Sequence, residues 1–103
     1  MVDQLQCQIE ICNDKGLHAR AAAKFCKTAA KFDAEIKVSC GNSEVSGESI
    51  MGLMMLAAGQ GTMIKIKASG PEATKAMEYL CALVANKFDE IELPGIKDEV
   101  NLQ

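Results

Sequence analysis

Tryptophan is absent from this 103-residue chain, tyrosine occurs once, phenylalanine three times, and there is no block of lysine or arginine. A protein that holds nucleic acid needs a basic footprint, and one that holds single strands adds aromatic platforms on which bases stack. Both are missing, so DNA and RNA are set aside as partners. No apolar run approaches the roughly 20 residues that span a bilayer, and Met1-Val2-Asp3-Gln4 lacks the basic and apolar regions of a secretory leader. A cytoplasmic protein without membrane insertion is therefore expected. Histidine is scarce as well: His18 stands alone, and one imidazole cannot complete a Cys/His metal cluster. The five cysteines, at positions 7, 12, 26, 40 and 81, contain no Cys-x-x-Cys pair and are odd in number. They read as buried, reduced thiols acting as small hydrophobes, with no metal and no resident cofactor implied.

What remains is ordinary for one globular domain: 49% hydrophobic and 24% charged residues, in a chain with room for a single core. The net charge of -3 is unevenly spread, because residues 89–103 carry five acids against one lysine, a balance of -4. Residues 1–88, with ten basic and nine acidic side chains, are nearly neutral. The division expected is a domain over 1–88 and an acidic, loosely held extension over 89–103, where Pro94-Gly95 interrupts a stretch without periodicity.

Leu5-Gln6-Cys7-Gln8-Ile9-Glu10-Ile11 alternates apolar and polar residues without a miss, the pattern of a strand with one buried face. Asn13-Asp14-Lys15-Gly16 is turn chemistry, after which Ala22, Phe25, Cys26 and Ala29 recur at helical spacing. Glu35 to Cys40 alternates again, Gly41-Asn42 breaks it, and Ser43 to Ser46 returns as a short strand of a hairpin. Ser49 then precedes Ile50-Met51-Gly52-Leu53-Met54-Met55-Leu56-Ala57-Ala58, a run without a period of two that reads as a short helix capped by the serine. A fourth strand follows over residues 63–68. Gly70-Pro71-Glu72 opens a last helix whose buried stripe is Ala73, Met77, Leu80, Cys81, Val84 and Phe88. The order strand-helix-strand-strand-helix-strand-helix is an α+β layout in which three helices cover one face of a four-stranded sheet.

Chemistry concentrates where the turn meets the first helix. A helix start presents free backbone N–H groups and the positive end of its dipole, which together suit an anion such as phosphate. His18 stands at that junction, where a ring nitrogen can serve as a nucleophile beside the anion site. Arg20 adds a guanidinium fork suited to a phosphoryl group. Arg20, Lys24, Lys27 and Lys31 form one stripe along the helix, and no acidic residue lies between Gly16 and Phe32. By itself such a stripe is a solvated face; beside a reactive histidine it suits an acidic partner. On the second helix, Leu53, Leu56 and Ala57 are expected to face the sheet, which leaves Ile50, Met51 and Met54 grouped on another side as a partner surface.

Gly16-Leu17-His18-Ala19-Arg20, Ser49-Ile50-Met51-Gly52-Leu53, the later Gly61-Thr62 and the order of elements resemble HPr, the histidine-containing phosphocarrier of the bacterial sugar phosphotransferase system and of its nitrogen-related branch. The likeness runs from about Leu5 to Phe88. It implies an open-faced β-sandwich with an antiparallel sheet, and a carrier that is modified by enzymes without being one; the sequence gives no reason to expect an oligomer, so a monomer is expected. Enzyme I, charged by phosphoenolpyruvate, would phosphorylate His18, and a IIA-type domain would receive the group. Arg20 and the backbone of Ala19 and Arg20 would hold the phosphate, and Leu17, Lys24, Lys27, Ile50, Met51 and Met54 would meet partners. A dedicated HPr kinase/phosphorylase would act on Ser49. Where the family usually has proline after the arginine, this chain has Ala21, so the helix start gains an N–H and loses a fixed φ. An interaction module that binds the same partners without transfer is the competing function. An acylphosphatase-like hydrolase would need a phosphate loop and a catalytic asparagine that are absent, and a Cys12–His18 thiol enzyme lacks an orienting third residue.

Overall fold

Alternation fixes three of the strands and a hairpin turn the fourth, and each one pairs antiparallel with its neighbours. The computed structural model describes residues 4–89, in which β1 (Gln4–Glu10), α1 (Ala19–Ala29), β2 (Glu35–Cys40), β3 (Ser43–Ser46), α2 (Ile50–Met55), β4 (Met63–Ser69) and α3 (Ala73–Ala85) follow in that order. The sheet runs β1-β4-β2-β3, so the two central strands are far apart in sequence and β1 and β3 form the edges. Cys7 lies opposite Ile66, which lies opposite Val38. This row belongs to the inner face, where Ile36, Val38, Ile64, Ile66 and Ala68 are buried.

The outer face carries the polar half of each alternation. Gln6, Lys67 and Lys37 stand in one row, and two neighbouring lysines there would repel each other. Glu44 meets Lys67 at 3.0 Å and Glu35 meets Lys37 at 3.9 Å. The hydrogen bond from Lys67 holds the Glu44 carboxyl below its usual range. The sheet is thus open, covered by helices on one side only.

Alanines bring the covering helices close. α1 buries Ala21, Ala22, Phe25, Cys26 and Ala29, and α3 buries Ala73, Ala76, Met77, Leu80 and Val84. α3 lies over β1 and β4, while α1 touches both α2 and α3. The rings of Phe32 and Tyr79, 5.2 Å apart and tilted by 48°, join the end of α1 to α3.

Three expectations are corrected. The last helix begins at Ala73 rather than in Pro71-Glu72, because the Glu72 carboxylate accepts from the Asp33 amide at 2.7 Å and its own amide donates to the Asp33 carbonyl at 3.0 Å. Glu72 is therefore held by the loop before β2 and makes no side-chain cap. The same helix ends at Ala85, not at Phe88. Lys87, Phe88 and Asp89 take positive φ values of 58°, 54° and 62°, and this left-handed turn buries the Phe88 ring completely. Continuing the helix would carry that ring about 6 Å beyond Val84 along the axis. Of the five thiols only Cys26 is buried; Cys7, Cys12, Cys40 and Cys81 are half-buried, and all five are free. Their inward alternation is real, but Cys7 lies on an edge strand, Cys40 at a strand end and Cys12 in a loop. The acidic extension expected over 89–103 lies, from residue 90 onward, outside the described residues.

Candidate functional site

The backbone of Ile11 prolongs the β1–β4 ladder, donating to the Thr62 carbonyl at 2.8 Å and accepting from the Gly61 amide at 2.7 Å. The chain then turns sharply. Asn13 is fully buried and its Nδ2 donates to the Gly16 carbonyl at 2.8 Å, while the Gly16 amide reaches back to the Asn13 carbonyl at 3.3 Å. Gly16 sits at φ +67°, and a Cβ there would lie 2.4 Å from the Ala58 carbonyl oxygen and 2.7 Å from Gly59 Cα. Only glycine fits this contact. The Leu17 amide donates to the same Ala58 carbonyl at 2.9 Å, so the loop before α1 and the loop after α2 are clasped together.

His18 emerges from this clasp as the N-cap of α1, with extended backbone (φ -80°, ψ -179°), and its Nδ1 accepts from the Arg20 amide at 3.3 Å. That bond identifies which ring nitrogen faces the helix: Nδ1 carries the lone pair, so in the neutral ring the proton sits on Nε2. The first helical hydrogen bond runs from the Ala22 amide to the His18 carbonyl at 2.8 Å. The amides of Ala19, Arg20 and Ala21 precede it and have no carbonyl acceptor within the helix. A tetrahedral anion on Nδ1 would therefore meet a cluster of N–H donors and the positive end of an 11-residue helix. His18 is half-buried, and Ala19 and Arg20 are exposed around it.

α2 starts in a similar way. Ser49 is its N-cap (φ -110°, ψ 108°), and its Oγ accepts from the Gly52 amide at 2.9 Å. A side chain at Gly52 would sit 3.0 Å from both Ser49 Oγ and Val45 Cβ, so the glycine lets the cap close and α2 rest on β3. Leu53 and Leu56 point inward, whereas Ile50, Met51, Met54 and Met55 are 43%, 71%, 40% and 78% exposed.

The chain matches the family described as "PTS HPr component phosphorylation site" over residues 5–86. It is 46% identical over 87 residues to the phosphocarrier protein NPr of Shewanella violacea, covering 84% of this chain and 96% of that one. The chain belongs to the HPr family of phosphocarriers. It is also 48% identical to the phosphocarrier protein HPr of Neisseria meningitidis serogroup A, over 85% of this chain and 99% of the relative. The crystal structure of HPr-C-His from Thermoanaerobacter tengcongensis, 42% identical, superposes with a TM-score of 0.81 over 85% of this chain and 99% of the other.

Within this HPr fold, the residues singled out by sequence fall into three groups. His18, Ala19 and Arg20 share the start of α1, and Ile50, Met51 and Met54 share the outer side of α2. On α1, Lys27 is exposed and Lys24 is half-buried, whereas Lys31, expected on the same row, lies exposed in the turn beyond the helix end at Ala29. Leu17 does not join any of them: it is 6% exposed and part of the core, so its side chain anchors the loop instead of offering contact. Ala57, expected to face the sheet, is exposed and left-handed at φ 52°, because the chain must turn out of α2 to bring the Ala58 carbonyl to Leu17. Sequence reasoning missed Met55, the most exposed of the apolar side chains on α2, and the Asn13 and Ala58 contacts that seat the His18 loop. The Asn-Asp-Lys-Gly turn was a signal for the first of these contacts; the second joins positions remote in sequence. The Cys12 thiol donates to the Val84 carbonyl at 3.3 Å, at the carboxyl end of α3, and so serves to fix that helix end beside the loop.

Proposed function

We propose that this HPr protein accepts one phosphoryl group on His18 from phosphoenolpyruvate-charged enzyme I and passes it to a IIA-type domain. The observation that carries the reading is the Nδ1 lone pair of His18 facing the amides that open α1, with Arg20 beside it. The neutral imidazole attacks phosphorus through Nδ1, the bond from phosphorus to enzyme I breaks, and the new N–P bond leaves the phosphoryl oxygens over the N–H groups of Ala19 to Ala21. Arg20 supplies charge-assisted hydrogen bonds to them. The reverse sequence delivers the group to the IIA-type acceptor.

The exposed side chains Ile50, Met51, Met54 and Met55 form the docking surface, with the basic row of α1 drawing in an acidic partner. Ser49 is the regulatory site for an HPr kinase/phosphorylase: a phosphate there places about -1.5 to -2 charges at the edge of that surface. The protein works in the cytoplasm as a monomer and carries phosphate without turning over a substrate. Among the described residues no helix is long and apolar enough to cross a membrane.

Incubation of the full chain with enzyme I and phosphoenolpyruvate, followed by intact mass, tests the reading. One phosphoryl group should appear, acid-labile and base-stable as a phosphoramidate is, and His18→Ala should abolish it. Labelling that persists in His18→Ala would place the chemistry elsewhere, and a folded wild-type protein that takes up nothing while still binding enzyme I would be an interaction module.

A further inference from the structure

The thiols of Cys7 and Cys81 meet across the packing of α3 on the edge strand β1, 74 positions apart in sequence, with Cys81 Sγ donating to Cys7 Sγ at 3.2 Å. No other pair among the described residues shows such a sulfur contact, and neither residue takes part in the phosphoryl site. Both are half-buried, so a small oxidant can reach them at the open rim of the sandwich. Sulfurs in a disulfide are about 2.05 Å apart. A shift of little more than about 1 Å by two rotatable side chains, on elements already packed together, would bring these two into bonding range.

We propose that Cys7 and Cys81 form a redox-sensitive pair that closes to an intramolecular disulfide under a peroxide. In the first step Cys7 sulfur attacks one peroxide oxygen, giving a Cys7 sulfenic acid and one water. In the second, Cys81 sulfur attacks Cys7 sulfur, and the hydroxyl leaves with the Cys81 proton as a second water. Two electrons pass from the thiols to the peroxide, and a thiol reductant reverses the change. Burial first, and then the hydrogen bond to Cys7, pushes the Cys81 thiol up to about 12. It therefore keeps its proton, and Cys7, on the edge strand β1, is the sulfur presented to the oxidant. Cys81 then resolves the intermediate because it is held in place next to it, where proximity replaces thiolate character. In a reducing compartment such a bond is transient. Because it closes a long loop and ties α3 to β1, it stiffens one of the two edges of the sheet.

The test uses the reduced full chain, exposed to hydrogen peroxide, alkylated to trap the remaining thiols, and mapped by peptide mass spectrometry. A single crosslink between the Cys7 and Cys81 peptides is expected, with Cys12, Cys26 and Cys40 alkylated. The melting temperature should rise by about 10 °C or more and return on treatment with dithiothreitol. Cys81→Ala should lose the crosslink and the rise. A crosslink between other cysteines, or oxidation of Cys7 to sulfinic acid with Cys81 still alkylated, would overturn the proposal. The peptide map of the wild-type protein decides this even where a variant folds poorly.

Discussion

Two helices in this protein begin with a side chain bent back onto a backbone amide, and the two starts differ in almost everything else. His18 reaches the second residue of α1 through a ring nitrogen at 3.3 Å, whereas Ser49 reaches the third residue of α2 through a hydroxyl at 2.9 Å. The serine bond has the length of a good cap and the histidine bond is long. α1 runs 11 residues with a basic outer row, while α2 runs 6 residues with an apolar outer side. A long, weak cap leaves the imidazole lone pair only lightly committed, so little folding energy would be lost if phosphorus took its place, as proposed. At Ser49 the cap itself contributes about 1 kcal/mol, and a phosphate there, as proposed, would act on what can dock. Under the proposed function, one local geometry would support a group in transit at the first helix and a standing signal at the second.

The comparison breaks most cleanly if the serine chemistry is moved to the first helix. His18→Ser supplies a shorter capping oxygen, so the folded state should hold or gain about 0.5 kcal/mol in denaturant unfolding. Phosphoryl uptake from enzyme I should vanish, because a hydroxyl lacks the ring-nitrogen lone pair that His18 offers at neutral pH. Uptake retained by this variant would mean that the cap position, not the imidazole, defines the acceptor. Arg20→Ala comes next in size. Charge-assisted hydrogen bonds are worth about 1.5–3 kcal/mol, so transfer rates should fall about 10- to 100-fold with stability unchanged within about 0.5 kcal/mol. Unaltered rates in rapid-quench measurements would reduce Arg20 to part of the solvated row.

At the second start the two roles of the serine can be pulled apart. Ser49→Asp keeps a capping oxygen and adds charge at a helix N-terminus, so stability should hold or rise slightly. Affinity for enzyme I should drop by up to about fivefold, as for one exposed charge worth up to about 1 kcal/mol. The drop should shrink as salt shortens the screening length toward roughly 8 Å. Ser49→Ala should do the reverse, losing about 1 kcal/mol of stability with docking intact. Calorimetry on both variants, at matched folded fraction, separates these outcomes. Equal loss of binding in both would mean that the hydroxyl makes a direct contact and that charge is not the signal.

The strands and the histidine junction were legible in the sequence for the same reason: each rests on a local pattern. One face of the sheet is wet, so β1, β2 and β4 alternate, β3 follows from the Gly-Asn turn of its hairpin, and the Gly-Leu-His-Ala-Arg segment places its histidine between a turn and a helix within a few residues. What escaped depends on contacts between distant positions. Leu17 lies in a loop, where no period tells inside from outside, and only the Ala58 carbonyl reveals that it turns inward. Phe88 has helical spacing from Val84 and is indeed buried, but by a left-handed turn that its neighbours' composition does not announce. The half-buried thiols needed the sheet order, since alternation shows which way Cys7 points and not that its strand is an edge.

The finest distinction between the two helix starts lies at Ala21, where the resemblance noted in the sequence leads one to expect proline. Ala21 is the third residue of α1, fully buried, and its amide precedes the first helical hydrogen bond, made by Ala22. Proline there would sacrifice no bond of the helix. It would also restrict the unfolded chain, an effect worth about 0.4–1 kcal/mol, offset in part because proline disfavours the helical conformation of the residue before it, Arg20. Ala21→Pro should therefore stabilise the fold by about 0.5 kcal/mol or less. At the site it removes one N–H from the cluster that faces Nδ1, and a single hydrogen bond contributes as little as about 0.5 kcal/mol. The half-life of the phosphohistidine should accordingly shorten by about twofold, measured as the decay of the phosphorylated mass at neutral pH. If the proline variant instead held the phosphoryl group longer while melting higher, the Ala21 amide would not be a phosphate donor. Rigidity of the α1 start would then be what governs the carrier, and the weak His18 cap would mark a looseness that a proline removes.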